Sequence, residues 1–399
     1  MFINRTITPT LRIVANQFPV VAIIGPRQSG KSTLAKKTFP DYTYISLEDL
    51  DIRALAKADP RGFLAAYDQQ KGVIIDEIQE VPELLSYMQG VVDRAYRPGY
   101  FIITGSQNFL LHEKITQTLA GRIALLTLLP LSLAELKDAN LLTGLVEEAL
   151  LKGGYPRPYA EKIDLNTWCT NYISTYVEKD VRQVLNVSDV VTFQRFLKLC
   201  AARTGNLLNY ASLARDADIS PNTAKAWISI LETSFIIKLL YPYHVNFNKR
   251  VIKSPKLYFY DTALICSLLG IRTTDELQFH PLKGALFESL IISELFKYSF
   301  NHGEQPALYF WRDVQGHEID VLIEKSFGTT FPLEIKAGKT ITDDFFKGLK
   351  DWQDITKQTT LKTFVIYGGS EKLVHKGHQI IGWNSANTVL DAVYKVTKK

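Results

Sequence analysis

Short runs of consecutive apolar residues, each followed by an amphipathic stretch, fill the first third of the chain. Residues 20–24 (VVAII) are apolar without a break and mostly β-branched, which suits a strand buried on both faces of a parallel sheet. Apolar runs recur in 72–77, 100–103 and 123–129, 42–46 also reads as a strand, and 32–38 and 108–120 read as intervening helices. Such alternation predicts an α/β unit with helices on both faces of the sheet. From 131 to 187 the pattern is helical, with a break at Gly153-Gly154-Tyr155-Pro156-Arg157. Residues 192–204 form an amphipathic helix. Two more helices, 210–217 and 221–232, flank a turn in which Ser220-Pro221 supplies an N-cap and a proline at the first helical position. Strand-like runs follow at 235–241 and 256–260. After 282 the order is helix, three strands (307–312, 317–323, 331–336), helix and strand.

A chain of 399 residues is longer than one compact core usually holds, so two or three domains are expected. With 46% hydrophobic and 22% charged residues it has the composition of a globular protein, not of a disordered one. The net charge of +5 permits nucleic-acid binding without requiring it. Cys169, Cys200 and Cys266 match neither a disulfide framework nor a metal motif, so a cytoplasmic location is expected. The first residues lack the apolar core of a secretory leader. The longest apolar stretch, 123–136, is interrupted by Thr127, Pro130 and Ser132 and falls short of the roughly 20 residues that span a bilayer. No membrane association is expected.

The chemistry concentrates at the ends of the apolar runs. Gly25-Pro26-Arg27-Gln28-Ser29-Gly30-Lys31-Ser32, continued by Thr33, fits G-x-x-x-x-G-K-[ST] and sits between a strand and a helix. The glycines let the backbone curl so that its N–H groups face phosphate oxygens, and the helix start adds a positive dipole end. Lys31 can reach the β- and γ-phosphates and the Ser32 hydroxyl can bind Mg²⁺, so ATP and Mg²⁺ are the expected ligands. Residues 72–77 end in Asp76, suited to the magnesium shell, and Glu77, suited to orienting or deprotonating the attacking water. Alone, that run reads as a strand ending in a solvated acidic turn; following a phosphate loop, it reads as catalytic. Thr104 and Ser106, at the tip of the strand after it, are both candidates to sense the γ-phosphate, and either is also a plausible N-cap. Arg122 follows the next helix. It reads either as a cation at a helix C-terminus or as an arginine that reaches the nucleotide of a neighbouring subunit. Arg157 is a further sensor candidate.

GPRQSGKSTL, the SLEDLD segment at 46–51, IIDEIQ, ITGSQ and LAGR together resemble a large family of prokaryotic AAA+ ATPases. In that family the ATPase is followed by a C-terminal domain of unknown function. The resemblance covers nearly the whole chain and implies an AAA+ sheet and ATP as the nucleotide. Helical segments after an AAA+ core usually form a lid, and Arg122, at the place where AAA+ ATPases carry an arginine finger, would act between the subunits of a homo-oligomer.

The helices and strands of 192–260 have the order of a winged helix. In a DNA-binding use, Asn222, Thr223, Lys225 and Ser229 would face the major groove of double-stranded DNA, and Lys249, Arg250, Lys253 and Lys256 would grip phosphates. Protein-interaction use stays open. The α-β-β-β-α-β order after 282 resembles the restriction-endonuclease-like fold. Asp320, Glu334 and Lys336 match PD-(D/E)-x-K nucleases, with Glu288 on the preceding helix, although Ile319 stands where that motif has proline. Strand alternation puts Glu334 and Lys336 on one face. The expected division is an ATPase core at 1–130, a lid at 131–188, a winged-helix region at 189–275 and a nuclease-like domain at 276–399. Three functions are compatible with it: an ATPase coupled to a DNA- or partner-binding module, an ATP-dependent endonuclease, and a slow nucleotide-controlled binding switch.

Overall fold

The structure, a computed structural model, describes residues 1–106, 118–177, 190–243, 253–326, 328–357 and 362–394. Helix α1 (Thr8–Ala15) leads into β1 (Val20–Ile24), followed by α2 (Lys31–Thr38), β2 (Thr43–Ser46), α3 (Leu50–Ala58) and α4 (Pro60–Ala65). Then come β3 (Val73–Asp76), α5 (Leu84–Arg94), β4 (Phe101–Gly105) and β5 (Ile123–Thr127). Most of the helix expected at 108–120 lies outside the described residues. The five strands form one parallel sheet in the order β2-β3-β4-β1-β5. Side chains alternate across it: Val21, Ile23, Ile74 and Ile102 pack under α1 and α2, while Val20, Ala22, Ile75 and Ile103 join a larger core on the other face. The three central strands β1, β3 and β4 are covered on both faces, which is why they are so apolar, whereas the edge strand β2 (TYIS) is only partly buried.

The helical middle holds α6 (Leu133–Asp138), α7 (Val146–Lys152), α8 (Pro156–Glu161) and α9 (Leu165–Tyr172). Ser132 and Glu135 close a reciprocal cap on α6. Next are α10 (Val190–Ala202), α11 (Tyr210–Ala217) and α12 (Pro221–Thr233), whose N-cap Ser220 accepts from the Thr223 N–H. An antiparallel pair follows, β6 (Ile237–Leu240) and β7 (Lys256–Phe259). The connection at 244–252, with Lys249 and Arg250, lies outside the described residues.

Two helices not anticipated from the pattern come next, α13 (Thr262–Leu269) and α14 (Thr274–Phe279). Helix α13 buries Thr262 through Cys266 without a break, so it has no amphipathic period to read. Helix α15 (Lys283–Asn301) then crosses the molecule. After it come β8 (Leu308–Arg312), β9 (Glu318–Ser326), β10 (Thr329–Lys336), α16 (Lys347–Thr356), β11 (Phe364–Tyr367), β12 (Leu373–His375), β13 (His378–Gly382) and α17 (Thr388–Tyr394). Their sheet runs β12-β13-β11-β10-β9-β8, with β8, β9 and β10 antiparallel and β11 parallel to β10. Strands β12 and β13 and helix α17 extend beyond the expected αβββαβ order. One continuous buried core links the first sheet, the middle helices and α15.

Candidate functional site

The phosphate loop leaves the carboxyl end of β1 and enters α2. Gly25 has φ 156° and approaches the chain so closely that a Cβ there would lie 2.1 Å from the Leu128 carbonyl oxygen; Gly30 has φ 95° and N-caps α2. The buried Lys31 ammonium donates to the Gly25 and Pro26 carbonyls at 3.2 and 2.9 Å. The Ser29 hydroxyl is buried without a hydrogen-bond partner among the described residues. Donors held in a curled loop, with a lysine bonded to its own backbone, are the features that a polyphosphate would engage.

Asp76, at the end of β3, is the hub. Its carboxylate accepts from the Ser32 hydroxyl at 2.7 Å, from the Tyr44 phenol at 2.7 Å and from the Thr104 hydroxyl. Burial and the adjacent Asp76 push the Tyr44 phenol well above its ordinary pKa, so it stays a donor. Ser32 and Asp76 therefore stand together as oxygen donors suited to a magnesium shell. Glu77 follows in the left-handed region at φ 56°, a conformation that costs energy outside glycine. Its N–H donates to Thr104 Oγ1 at 3.4 Å and its carboxylate accepts from the Gln79 amide. Thr104 thus touches both acidic residues; Ser106 bonds to neither among the described residues. A cleft of about 340 Å³ opens here, lined by Gln28, Gly30, Lys31, Ser32, Thr33 and Glu77 and, from other parts of the chain, by Met1, Phe2, Ile3, Arg5 and Arg157. Arg157 is paired with Glu161 at 2.9 Å on the cleft's edge.

Arg122 lies elsewhere. It precedes the edge strand β5 and accepts from the Val20 N–H through its carbonyl, so it sits at the amino ends of the strands. The five residues of β1 separate it from the loop by about 16 Å along the sheet. Its guanidinium forks onto Asp93 at 2.5 and 3.1 Å. It is half exposed at one margin of the sheet and does not reach this chain's own loop.

Several residues at the cleft escaped the sequence reading. The Arg5 guanidinium is buried and bonds the Ser29 carbonyl, the Leu129 carbonyl and Glu135. Trp168 and Tyr172 of α9 bond Gln28 and the Arg27 carbonyl. All act across more than twenty residues of sequence, and no local motif announces them.

In the C-terminal sheet, Lys336 lies 2.5 Å from Glu334 and 3.8 Å from Asp320, and Asp320 accepts the Ile335 N–H at 2.7 Å. Burial, and then the Asp320 charge, raise the Glu334 pKa well above the usual carboxylate range. Burial alone would lower that of Lys336, but Asp320 and Glu334 outweigh it and hold it high. Glu288 feels the Asp320 charge but makes no hydrogen bond to these three side chains among the described residues: its Oε1 accepts from Lys256 at 3.3 Å and from the Tyr258 hydroxyl. Lys256, expected to grip phosphate, is instead buried between Glu288 and Glu318, because β7 packs against the last domain. Lys253 remains exposed. Among the described residues, no group of three or more His, Cys, Asp or Glu side chains is arranged to hold a metal ion. No described helix is long and apolar enough to cross a membrane.

Comparison with known proteins agrees with the cleft. An AAA domain family matches residues 17–137, and two domains of unknown function, DUF8612 and DUF4143, match 143–275 and 283–385. Among solved structures, the Walker-type ATPase PABY2304 of Pyrococcus abyssi is 16% identical over 67% of this chain and 96% of its own, with a TM-score of 0.44. The RuvB Holliday junction branch migration motor of Thermotoga maritima is 20% identical over 59% and 90%, with a TM-score of 0.29. The uncharacterized proteins Rv2008c of Mycobacterium tuberculosis and Mb2031c of Mycobacterium bovis are each 32% identical over 343 residues, 84% of this chain and 74% of theirs. With these mycobacterial proteins the chain belongs to one family, and its phosphate loop and AAA domain make it a P-loop ATPase of the AAA type.

Proposed function

We propose that the chain binds ATP with Mg²⁺ in the loop cleft, hydrolyses it, and passes the nucleotide state to a C-terminal module that engages DNA or a protein partner. The observation that carries this reading is the convergence of Lys31, Ser32, Asp76, Thr104 and Glu77 at the carboxyl ends of β1, β3 and β4. Lys31 would exchange its carbonyl partners for β- and γ-phosphate oxygens, within the cradle of residues 25–33. Ser32 and Asp76 would hold Mg²⁺, which when bound neutralises phosphate charge. Glu77 would orient the attacking water and accept its proton, while Thr104 fixes Asp76 and the Glu77 backbone and serves as the sensor ahead of Ser106. Arg122, out of reach of its own loop, would act on a neighbouring subunit's nucleotide in a homo-oligomer. The shared buried core favours transmission by small shifts at packed contacts over a free hinge. Three buried free thiols fit a reducing cytoplasm. Phosphate release with Mg²⁺ and ATP tests the proposal. Turnover abolished in Lys31→Ala supports it; nucleotide binding with no turnover at all would turn the protein into a binding switch.

A second reading rests on Asp320, Glu334 and Lys336: a restriction-endonuclease-like domain that cuts DNA under ATP control. Their mutual distances support it. The exposed Asn222, Lys225 and Ser229 of α12, with the partly exposed Thr223, offer a polar face to a duplex, as a winged helix would. Plasmid cleavage with Mg²⁺ or Mn²⁺, lost in Asp320→Ala, would establish the nuclease; dependence on Lys31 would make it ATP-gated.

A further inference from the structure

Arg5 stands outside every motif in the sequence, yet it is among the most heavily bonded side chains at the cleft. Its three nitrogens reach three different parts of the chain. One donates to the Ser29 carbonyl in the phosphate loop at 2.7 Å, one to the Leu129 carbonyl beyond β5 at 2.6 Å, and Nε to Glu135 of α6 at 3.1 Å. Arg5 and Glu135 are 7% and 3% exposed, so the pair is shielded from water and salt.

The Ser29 contact has a geometric consequence. In a trans peptide the carbonyl and the following N–H point in opposite directions. With its oxygen held on Arg5, the Ser29–Gly30 peptide turns the Gly30 N–H away from the guanidinium. That N–H has no hydrogen-bond acceptor among the described residues. Gly30 itself sits at φ 95°, and a Cβ there would lie 3.7 Å from the Arg5 guanidinium, so the loop rests directly on this side chain.

The segment that Arg5 grips is also held by α15. Glu135 accepts the Thr6 and Ser132 N–H groups at 2.6 and 2.9 Å. Between these contacts, Glu294 of α15 accepts the Leu133 N–H at 2.8 Å, and Lys297 donates to the Leu131 carbonyl at 3.0 Å and to Glu294 at 2.8 Å. Residues 129–135 are thus a strap held at its two ends by Arg5 and in its middle by the long helix of the C-terminal domain.

We propose that Arg5 is a positioning residue of the nucleotide site: it aims the Gly30 N–H at phosphate, and through the 129–135 strap it ties that aim to α15. The inference rests on the ATP-binding reading above. The test uses the full chain and measures ADP and ATP affinity by calorimetry alongside kcat and KM. Arg5→Lys keeps a charge beside Glu135 but cannot fork onto two carbonyls. It should weaken both nucleotides by about tenfold, the scale of one charge-assisted hydrogen bond, and raise KM more than it lowers kcat. Glu135→Gln, which leaves the buried Arg5 guanidinium without its counter-charge, should shift affinity the same way. Combined with Glu294→Gln, Arg5→Lys should cost less than the product of the two single effects. An Arg5→Lys protein that melts lower yet binds nucleotide like the wild type would reduce Arg5 to a structural residue and overturn the proposal. Multiplicative single effects would remove the link to α15. Wild-type protein that binds neither nucleotide would instead overturn the ATP reading.

Discussion

The indole N–H of Trp168 donates to the Gln28 side-chain oxygen at 3.0 Å, joining a helix of the middle domain to the phosphate loop across 140 residues of sequence. The contact is reinforced on both sides. Tyr172 reaches the Arg27 carbonyl at 3.3 Å, and Trp168, Tyr172 and Tyr155 form a tight aromatic cluster with ring centroids 4.7 to 4.9 Å apart. Any movement of the loop is felt by this indole. Adding ATP with Mg²⁺ should therefore change tryptophan fluorescence, and Trp168→Phe should abolish that change while leaving the signal of the other four tryptophans. An unaltered nucleotide response in Trp168→Phe would dismiss the contact as a reporter of the loop.

Glu77 occupies a strained left-handed conformation directly after the hub carboxylate of Asp76. Backbone strain held at one residue of a cleft suggests a placement maintained for function. Glu77→Gln keeps the size and the bond from Gln79 but cannot accept a proton. We expect near wild-type ATP affinity and a kcat lower by about 10²-fold or more, the usual contribution of a general base. Steady-state phosphate release and equilibrium nucleotide binding check this together; an unchanged kcat would move the base elsewhere.

Much of this cleft was legible in the sequence, because its chemistry is local. The loop, Asp76, Glu77 and Thr104 each stand at the end of a short apolar run that the sheet buries on both faces, so strand and chemistry announce each other. What was not legible depends on distant partners. Arg5 looks like any polar residue near a terminus until Ser29 and Glu135 close on it. Lys256 looks like a solvated strand lysine until β7 is pressed against α15 and β9, where Glu288 and Glu318 neutralise it. Glu288 aligns with a nuclease constellation by element order, yet spends its Oε1 on Lys256 and Tyr258.

Arg122 and Asp93 form a forked, half-exposed pair at the sheet's margin. A pair so exposed contributes little stability, so Arg122→Ala should leave the melting temperature nearly unchanged. If Arg122 serves a neighbour's nucleotide, the same substitution should lower kcat by about 10³-fold. Mixing Arg122→Ala with Lys31→Ala should then recover activity, because one subunit supplies the arginine and the other the intact loop. No recovery, from a protein that sediments as a monomer and turns over ATP without Arg122, would exclude an arginine acting between subunits.

Glu334 is a buried carboxyl of the C-terminal sheet, 3% exposed. Its folded pKa lies above the unfolded value because burial, and then Asp320, disfavour the carboxylate; Lys336 only partly offsets them. A carboxyl raised in this way contributes most to stability below its unfolded pKa of about 4.3, and that contribution is lost as pH climbs through the folded value. Glu334→Gln cannot ionise, so it escapes the loss. The melting temperature of the variant relative to wild type should therefore rise steadily from mildly acidic to mildly basic pH. The buried Oε1, which has no hydrogen-bond partner among the described residues and would lie 2.4 Å from a Cβ on Gly348, leaves little room for solvent to relieve the charge. A difference that stays flat, or that favours wild type increasingly with pH, would mean that Lys336 holds Glu334 ionised throughout, and the buried pair would then be a permanent salt bridge.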